Sequence, residues 1–276
     1  MAKKIGIFVK NPALKEDQRT VSLMSELAEG SCELYEVLGR EDLVPDTSLI
    51  LSIGGDGTFL SAAKRFAPSG IPILGVNLGR IGFLSENSPE TVAEAILSEE
   101  YIIEDRAMLY SEVKGGDVEL NPGFWPYALN EVSVHRVGPS VLGIHVSLDG
   151  IPLPTYWADG LLVATSSGST AYSLSVGGPI CMPESKVLII APIAPHNLNV
   201  RPLIVPDTSN ISISVETRDS KVAMSMDNRN LDMSPSWTLD VSMAQFSLKR
   251  IRLAKSNFVK ALTSKLFWGE DIRNNG

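Results

Sequence analysis

The sequence predicts an N-terminal α/β domain built on a parallel sheet, then an antiparallel β domain, with a C-terminal helix that returns to the first. Three observations predict this arrangement. Residues 1–100 alternate short apolar runs with helical periodicity. Residues 101–254 are a succession of short alternating or apolar runs divided by Gly, Pro, Asn and Asp turns. Residues 255–276 contain Phe258, Leu262 and Leu266 at four-residue intervals, the stripe of one amphipathic helix that completes the first domain. At 276 residues the chain has room for two modest domains.

Each element has a local reason. Ile5 to Val9 is a continuous apolar run of strand length, and Val21, Met24, Leu27 and Ala28 then recur at helical spacing before Gly30 stops the helix. Ser48 to Ile53 is too brief for a helix and ends at Gly54-Gly55, so it reads as a second strand. Phe59, Leu60, Ala63 and Phe66 mark the next helix, closed by Pro68. Ile71 to Val76 is a third strand, and Thr91 to Glu100 a third helix with Pro89 near its start. Strands alternating with helices give a parallel sheet covered on both faces, with ligands at the C-terminal ends of its strands. In the second domain the runs Glu131–His135, Ile144–Leu148, Leu161–Thr165, Lys186–Ala191, Ile211–Glu216, Val222–Met226 and Trp237–Val241 predict strands of a sandwich or layered sheet.

Composition narrows the class. The chain has 24 Lys+Arg against 32 Asp+Glu, a net charge of −8, which argues against a general nucleic-acid or anionic-membrane binder. Hydrophobic content of 44% with 20% charged residues suits a packed globular protein. No window approaches the ~18 apolar residues of a membrane helix, and MAKKIGIFVK reads as a strand and not as a secretory signal. Cys32 and Cys181 fit no metal spacing and read as reduced thiols; His135, His145 and His196 are too scattered for a zinc site. A soluble, cytoplasmic protein is expected.

The sharpest motif is Gly54-Gly55-Asp56-Gly57-Thr58, between a buried-type strand and a helix. Glycines let a ligand approach the backbone closely, and amides at a helix N-terminus favour an anion. The carboxylate among them, Asp56, suits a base toward an attacking hydroxyl or a magnesium contact; its bland alternative is a helix cap. There is no Gly-x-x-x-x-Gly-Lys-Ser/Thr, and no Gly-x-Gly-x-x-Gly after the first strand, so neither a P-loop enzyme nor a dehydrogenase-type Rossmann domain is expected. A second glycine-rich stretch follows the third strand. There Asn77 can donate its amide and Phe83 can offer a ring face to a base, with a core role as the alternative for Phe83 and a solvated surface charge for Arg80.

In the β domain, Asn130-Glu131 opens a strand and can read a base edge and ribose hydroxyls, though a turn followed by a strand start explains the dipeptide nearly as well. Asp159-Gly160 is equally short. Thr165 to Ser175 holds five serines, two threonines and a glycine, a composition suited to wrapping a polar ligand such as a dinucleotide; Gly177-Gly178-Pro179 after it marks a defined turn. His196 and Arg201 fit either ligand contact or loop support.

Taken together and in order, Gly54-Gly55-Asp56-Gly57-Thr58, Asn77…Gly82-Phe83-Leu84, Asn130-Glu131, Asp159-Gly160, Gly168-Ser169-Thr170-Ala171-Tyr172-Ser173-Leu174-Ser175 and Pro195-His196…Arg201-Pro202 resemble the NAD kinase family over roughly residues 3–230. The resemblance implies an α/β domain of the NAD kinase/diacylglycerol kinase type, and ATP- or polyphosphate-dependent phosphorylation of the adenosine-ribose 2′-hydroxyl of NAD to give NADP. It also implies a divalent metal, Mg²⁺ brought on ATP, and a homo-oligomer, dimer or tetramer. Carried over by motif, Asp56 is the base, and Gly55, Gly57 and neighbouring amides face phosphates. Asn77 lines the same region and Phe83 lies near the adenosine. Asn130 and Glu131 hold the adenosine end, while Asp159, Ser169, Thr170, Ala171, Tyr172, Ser173 and Ser175 line the remainder of the dinucleotide. The partners expected are small molecules, NAD and ATP, with no nucleic acid and no membrane.

Three places depart from the family pattern. Ser166-Ser167 replaces the usual Pro-Thr, which predicts a less rigid loop. Trp157-Ala158 precedes Asp159 where some members carry a basic residue. Asp227-Asn228-Arg229 stands where many members read Asp-Gly-Gln, so Arg229 is expected to substitute a charged contact, to a phosphate, for an amide. A lipid kinase of the diacylglycerol or sphingoid type shares the glycine turn, but gives no reason for Asn130-Glu131 or residues 168–175. A phosphofructokinase-type enzyme would bring more arginines. A non-catalytic NAD(P) sensor would not require Asp56.

Overall fold

The computed structural model describes residues 2–79, 82–115 and 124–266, and the chain divides into two compact units. One comprises Met1–Asp105 and Leu248–Gly276, the other Arg106–Ser247.

The first unit begins with β1 (Lys4–Val9), α1 (Gln18–Glu29), β2 (Glu33–Glu36), β3 (Thr47–Ile53), α2 (Asp56–Phe66), β4 (Ile73–Val76), α3 (Pro89–Leu97) and β5 (Tyr101–Arg106). The second runs through β6 (Leu109–Lys114), β7 (Tyr127–Ala128), β8 (Glu131–Arg136), β9 (Leu142–Leu148), β10 (Ile151–Pro152), β11 (Tyr156–Ala158) and β12 (Gly160–Thr165). It continues with α4 (Tyr172–Ser175), β13 (Val187–Ile193), β14 (Leu203–Pro206), β15 (Ile211–Glu216), β16 (Val222–Met226), β17 (Arg229–Met233) and β18 (Thr238–Met243). The chain then re-enters the first unit with β19 (Leu248–Leu253) and α5 (Phe258–Leu266).

In the first unit the strand order is β2-β1-β3-β4-β19-β5, with β1 parallel to β2 and β3, and β4 parallel to β3 and β19. The central strands are apolar throughout because both faces are covered. Leu23 and Leu27 of α1 and Val92 and Ile96 of α3 pack with Ile5, Leu49, Leu51, Ile53 and Leu74 on one face. On the other face α2 brings Phe66 edge-on to Phe8, with ring centroids 5.6 Å apart.

Two strands differ from the sequence grouping. Residues 101–106 and 248–253, which local pattern assigns to the β domain, lie in this first sheet. The physical reason is that the alternation of a strand does not say which sheet it joins; here β19 fills the place beside β4, where Arg250 pairs with Ile73.

The second unit holds two sheets. One has the order β10-β9-β15-β18-β6-β7, with β11 also pairing β9; the other has the order β14-β13-β12-β8-β16-β17, and the pairings are antiparallel. Side chains from both sheets, among them Val132, Ile144, Leu161, Ile190, Ile213, Met224 and Leu239, form one apolar core, which makes a sandwich. On the outer face of the second sheet Leu162, Ala164, Ile189 and Ala191 are covered by Tyr172, Val176 and Cys181. That packing lays the hydroxyl-rich segment against the ends of β8 and β12. Both cysteines are free thiols.

Candidate active site

Each unit contributes one cluster of the residues singled out in the sequence. In the first unit β3 ends at Ile53, and Gly54 turns the chain with φ +143, a region closed to most side chains; a Cβ there would also strike Thr58. Gly55 caps α2, and Asp56 is its first residue. Nothing stands within 4 Å of a Cβ built on Gly55 or Gly57, so packing inside the protein does not demand glycine at either position. The space beside both is open. The leading amides of α2 and the positive end of its dipole make that space receptive to an anion.

Asp56 does not cap its own helix. Its Oδ2 accepts from the Phe83 amide at 2.9 Å, and its Oδ1 accepts from the amides of Leu84 at 3.2 Å and Ser85 at 2.8 Å. Gly82 is required by this arrangement, because a Cβ would sit on the Asp56 carboxylate. Asn77 is buried and braces the same loop: its Nδ2 donates to Ser85 O at 3.3 Å and its Oδ1 accepts from Gly79 N at 2.8 Å. The half-buried Phe83 ring lies against the Lys265 ammonium, 4.8 Å from the ring centroid, and Phe258, 6.3 Å centroid to centroid. Phe83 and Asn77 are thus built into the loop that holds Asp56. Arg80 lies outside the described residues.

The second cluster surrounds the start of β8. Asn130 and Glu131 are buried, and Gly168 is pressed so closely onto the Asn130 carbonyl that a Cβ would collide with it. Thr165 clamps the junction: its hydroxyl donates to Leu129 O at 2.6 Å and accepts from Gly168 N at 3.0 Å, while its amide donates to Asn130 O at 2.9 Å. Asp227 enters from the β16–β17 turn with φ 51, and its carboxylate accepts from the amides of Leu129, Asn130 and Glu131 at 3.0, 2.7 and 3.4 Å.

Glu131 is pushed up to about 8, first by burial and then by the neighbouring Asp227 charge, against the lowering effect of a hydrogen bond from the Tyr172 backbone. Burial also raises Asp227, but its three amide donors oppose the rise. Of the pair, Asp227 keeps the negative charge and Glu131 holds the proton. Glu131 Oε2 has no hydrogen-bond partner among the described residues.

The hydroxyl-rich segment is fastened. Ser166 Oγ donates to Pro183 O at 2.8 Å; Ser169 Oγ donates to Cys181 O at 3.3 Å and accepts from Cys181 N at 3.0 Å; Thr170 Oγ1 donates to Ser167 O at 3.4 Å. Tyr172 stacks on His135, with centroids 5.7 Å apart. Ser173 Oγ is buried with no partner among the described residues, Ala171 is half-buried and Ser175 is exposed.

Arg136 clasps Asp159 with two nitrogens, Nε at 2.8 Å and a terminal nitrogen at 3.0 Å, while His196 Nε2 stands 3.9 Å away. Arg201 donates to Leu198 O and Val200 O, at 2.9 and 2.7 Å, and holds its own loop. The Arg229 guanidinium donates to Trp125 O at 2.6 Å and to Tyr127 O, and lies 3.9 Å from Asp227, so these backbone carbonyls hold it in place.

Comparison with known proteins follows both halves of the chain. Residues 6–101 match the family model of the ATP-NAD kinase N-terminal domain, and residues 129–253 that of the C-terminal domain. The chain belongs to the NAD kinase family. An NAD kinase of Bacteroides fragilis is 42% identical over 232 residues, covering 83% of this chain and 79% of the relative. One from Porphyromonas gingivalis is 35% identical and covers 98% of this chain and 100% of the relative. Among solved structures, yeast NADH kinase complexed with NADH matches with a TM-score of 0.84 at 23% identity, covering 100% of this chain and 90% of that one. An NAD kinase from Archaeoglobus fulgidus in complex with ATP matches with a TM-score of 0.73 at 24% identity, covering 91% and 94%. These two likenesses establish the fold.

Within the family frame, sequence reasoning passed over Asp227, Arg136, Arg250 and Lys265. Asp227 had a signal: it stands in a two-residue turn between alternating runs, and in the triplet compared with Asp-Gly-Gln. The other three gave none, because each acts on a partner distant in sequence.

Proposed function

We propose that the protein transfers the terminal phosphoryl group of ATP, with polyphosphate as the alternative donor, to the 2′-hydroxyl of the adenosine ribose of NAD, giving NADP. The observation that carries this reading is the ordered match of both halves of the chain to the two ATP-NAD kinase domains, with Asp56 on the glycine turn at the end of β3. A lipid kinase would account for the turn alone.

The chemistry follows from the atoms. A carboxylate has about four lone-pair sites. Two amides occupy Oδ1 of Asp56 and one occupies Oδ2, which leaves a site on Oδ2. Oδ2 therefore takes the 2′-hydroxyl proton as that oxygen attacks the terminal phosphorus. The new O–P bond forms while the P–O bond to the departing ADP breaks, its electron pair leaving with ADP. The amides near Gly55 and Gly57 face the phosphates. Phosphoryl transfer asks chiefly for positioning and charge stabilisation, which this backbone provides.

On the dinucleotide side, Asn130 offers a side-chain amide, and Glu131 in its protonated form both donates and accepts. Asp159 and residues 169–175 line the remainder. Among the described residues no three His, Cys, Asp or Glu side chains form a metal cage. We read the divalent metal as Mg²⁺ carried on ATP, an ion content with phosphate oxygens, water and few protein ligands. The ion would neutralise phosphate charge while held on the triphosphate, and the open Oδ2 site of Asp56 is left to the hydroxyl. We read the protein as a homo-oligomer, dimer or tetramer; exposed Leu203 and Ile204 on edge strand β14, with Leu198 before it, support this. Two free thiols support a cytoplasmic setting. Among the described residues no helix is long and apolar enough to cross a membrane.

The test is a coupled assay of NADP formation from NAD, ATP and Mg²⁺ with wild type beside Asp56→Asn. Turnover in wild type with a loss of about 10²–10⁴-fold in the variant, NAD binding being retained, is expected. Wild type that binds NAD but makes no NADP from ATP or polyphosphate would move a non-catalytic sensor ahead.

A further inference from the structure

Three consecutive peptide groups stand between Asp56 and a pair of cations. Across the 82–83 peptide, Lys265 Nζ donates to the Gly82 carbonyl while the Phe83 amide donates to Asp56 Oδ2. Across the 83–84 peptide, Arg250 reaches the Phe83 carbonyl at 3.4 Å while the Leu84 amide donates to Asp56 Oδ1. Across the 84–85 peptide, the same guanidinium reaches the Leu84 carbonyl at 3.4 Å while the Ser85 amide donates to Oδ1. Every carbonyl faces a cation and every amide faces the carboxylate.

The cations are fixed from behind. Arg250 is buried on β19 and bonds Glu86 at 2.6 Å and Glu104 at 3.3 Å. Lys265 comes from α5, with its side chain only 11% exposed, over the Phe83 ring and 3.8 Å from Glu86. Burial lowers the Lys265 pKa, while the charges of Glu86 and Asp56 act to raise it. A lysine aimed only at Glu86 would not need the Gly82 carbonyl or the ring face.

We propose that Lys265, acting with Arg250, is a positioning residue for Asp56: the two cations orient and polarise the peptide groups of residues 82–85, and these hold the carboxylate in its reacting orientation. A peptide whose carbonyl is bound to a cation is a stronger amide donor, because hydrogen bonds in a chain polarise one another. The fixed row of amides sets the direction of the Oδ2 lone pair left for the hydroxyl proton. This rests on the reading of Asp56 as the base. It gives α5 a role in the reaction that the helix stripe alone does not suggest.

The experiment is a double-mutant cycle in the full chain, with NADP formation as the readout, on wild type, Asp56→Asn, Lys265→Met, Lys265→Arg and the Asp56→Asn/Lys265→Met pair. Lys265→Met keeps the stem and removes the charge. It is expected to lower kcat about 10- to 100-fold with KM for NAD and ATP nearly unchanged. Lys265→Arg restores most of the rate. In the Asp56→Asn background Lys265→Met changes the residual rate by less than about twofold, since the group it positions is already gone. An equal loss in both backgrounds, or a loss carried by KM, overturns the inference while leaving the function intact. Inactive wild type would overturn the function itself, and full activity of Asp56→Asn would overturn the base assignment and this inference with it. Thermal unfolding of Lys265→Met separates a folding defect from a positioning one; if that variant does not fold, Lys265→Gln takes its place in the same cycle and is held to the same outcomes.

Discussion

Glu131 and Asp227 bring two carboxyl groups into one buried corner of the second unit, and the corner accommodates one negative charge better than two. Three amide donors keep that charge on Asp227, so Glu131 is protonated at neutral pH. An ordinary glutamate carboxyl titrates at 4.5, and this one is pushed up to about 8 in the fold. Between those values the native state holds a proton that the unfolded chain has released. Its stabilising contribution is therefore fully present below about 4.5 and is lost as pH rises through about 8. Glu131→Gln removes this dependence. The melting temperature of the variant relative to wild type is expected to climb by several degrees across that window and then level off; parallel curves would refute the assignment. The Asn130-Glu131 pair was visible in the sequence as a pair of polar groups at a strand start. That Asp227 lies beside it was not visible, because Asp227 is 96 residues further along than Glu131 and only strand pairing unites them.

The β16–β17 hairpin shows what an element adds to its residues. Its two-residue turn puts Asp227 under the 129–131 amides and, two residues later, aims Arg229 at the carbonyls of Trp125 and Tyr127. Arg229→Gln shortens that reach, so it should cost about 1–3 kcal/mol of stability, read in denaturant unfolding, and leave NAD affinity nearly unchanged. A large loss of NAD affinity at unchanged stability would return Arg229 to the ligand. Most elements were legible in the sequence because their periodicity and punctuation agree: Gly30 ends α1, Pro89 opens α3, and Gly54-Gly55 separate β3 from α2. Among the elements that were not, β2 is a four-residue edge strand, Glu-Leu-Tyr-Glu, with no buried residue to mark it. β19 carries a strand's pattern, yet its membership of the parallel sheet depends on an empty place beside β4 that no local signal describes.

At the scale of the whole molecule the two units have separate apolar cores, so ligand binding and turnover can be followed as different properties of one chain. NAD at about a hundred times its Kd should add about 2.7 kcal/mol to the stability of the state that binds it. Asp56→Asn should retain the resulting rise in melting temperature while losing turnover; loss of both would make Asp56 a binding residue. The path of the chain also has a consequence in time. The first sheet opens with β1 and is completed only by β19, after the roughly 140 residues of the second unit have been made. At synthesis rates of about 5–20 residues per second, β4 waits on the order of ten seconds or more for its neighbour. During that interval the 82–85 loop has neither Arg250 nor Lys265 behind it. A nascent chain can thus display the glycine turn well before its Asp56 is held in working order, which delays competence for the reaction until the returning segment has been translated.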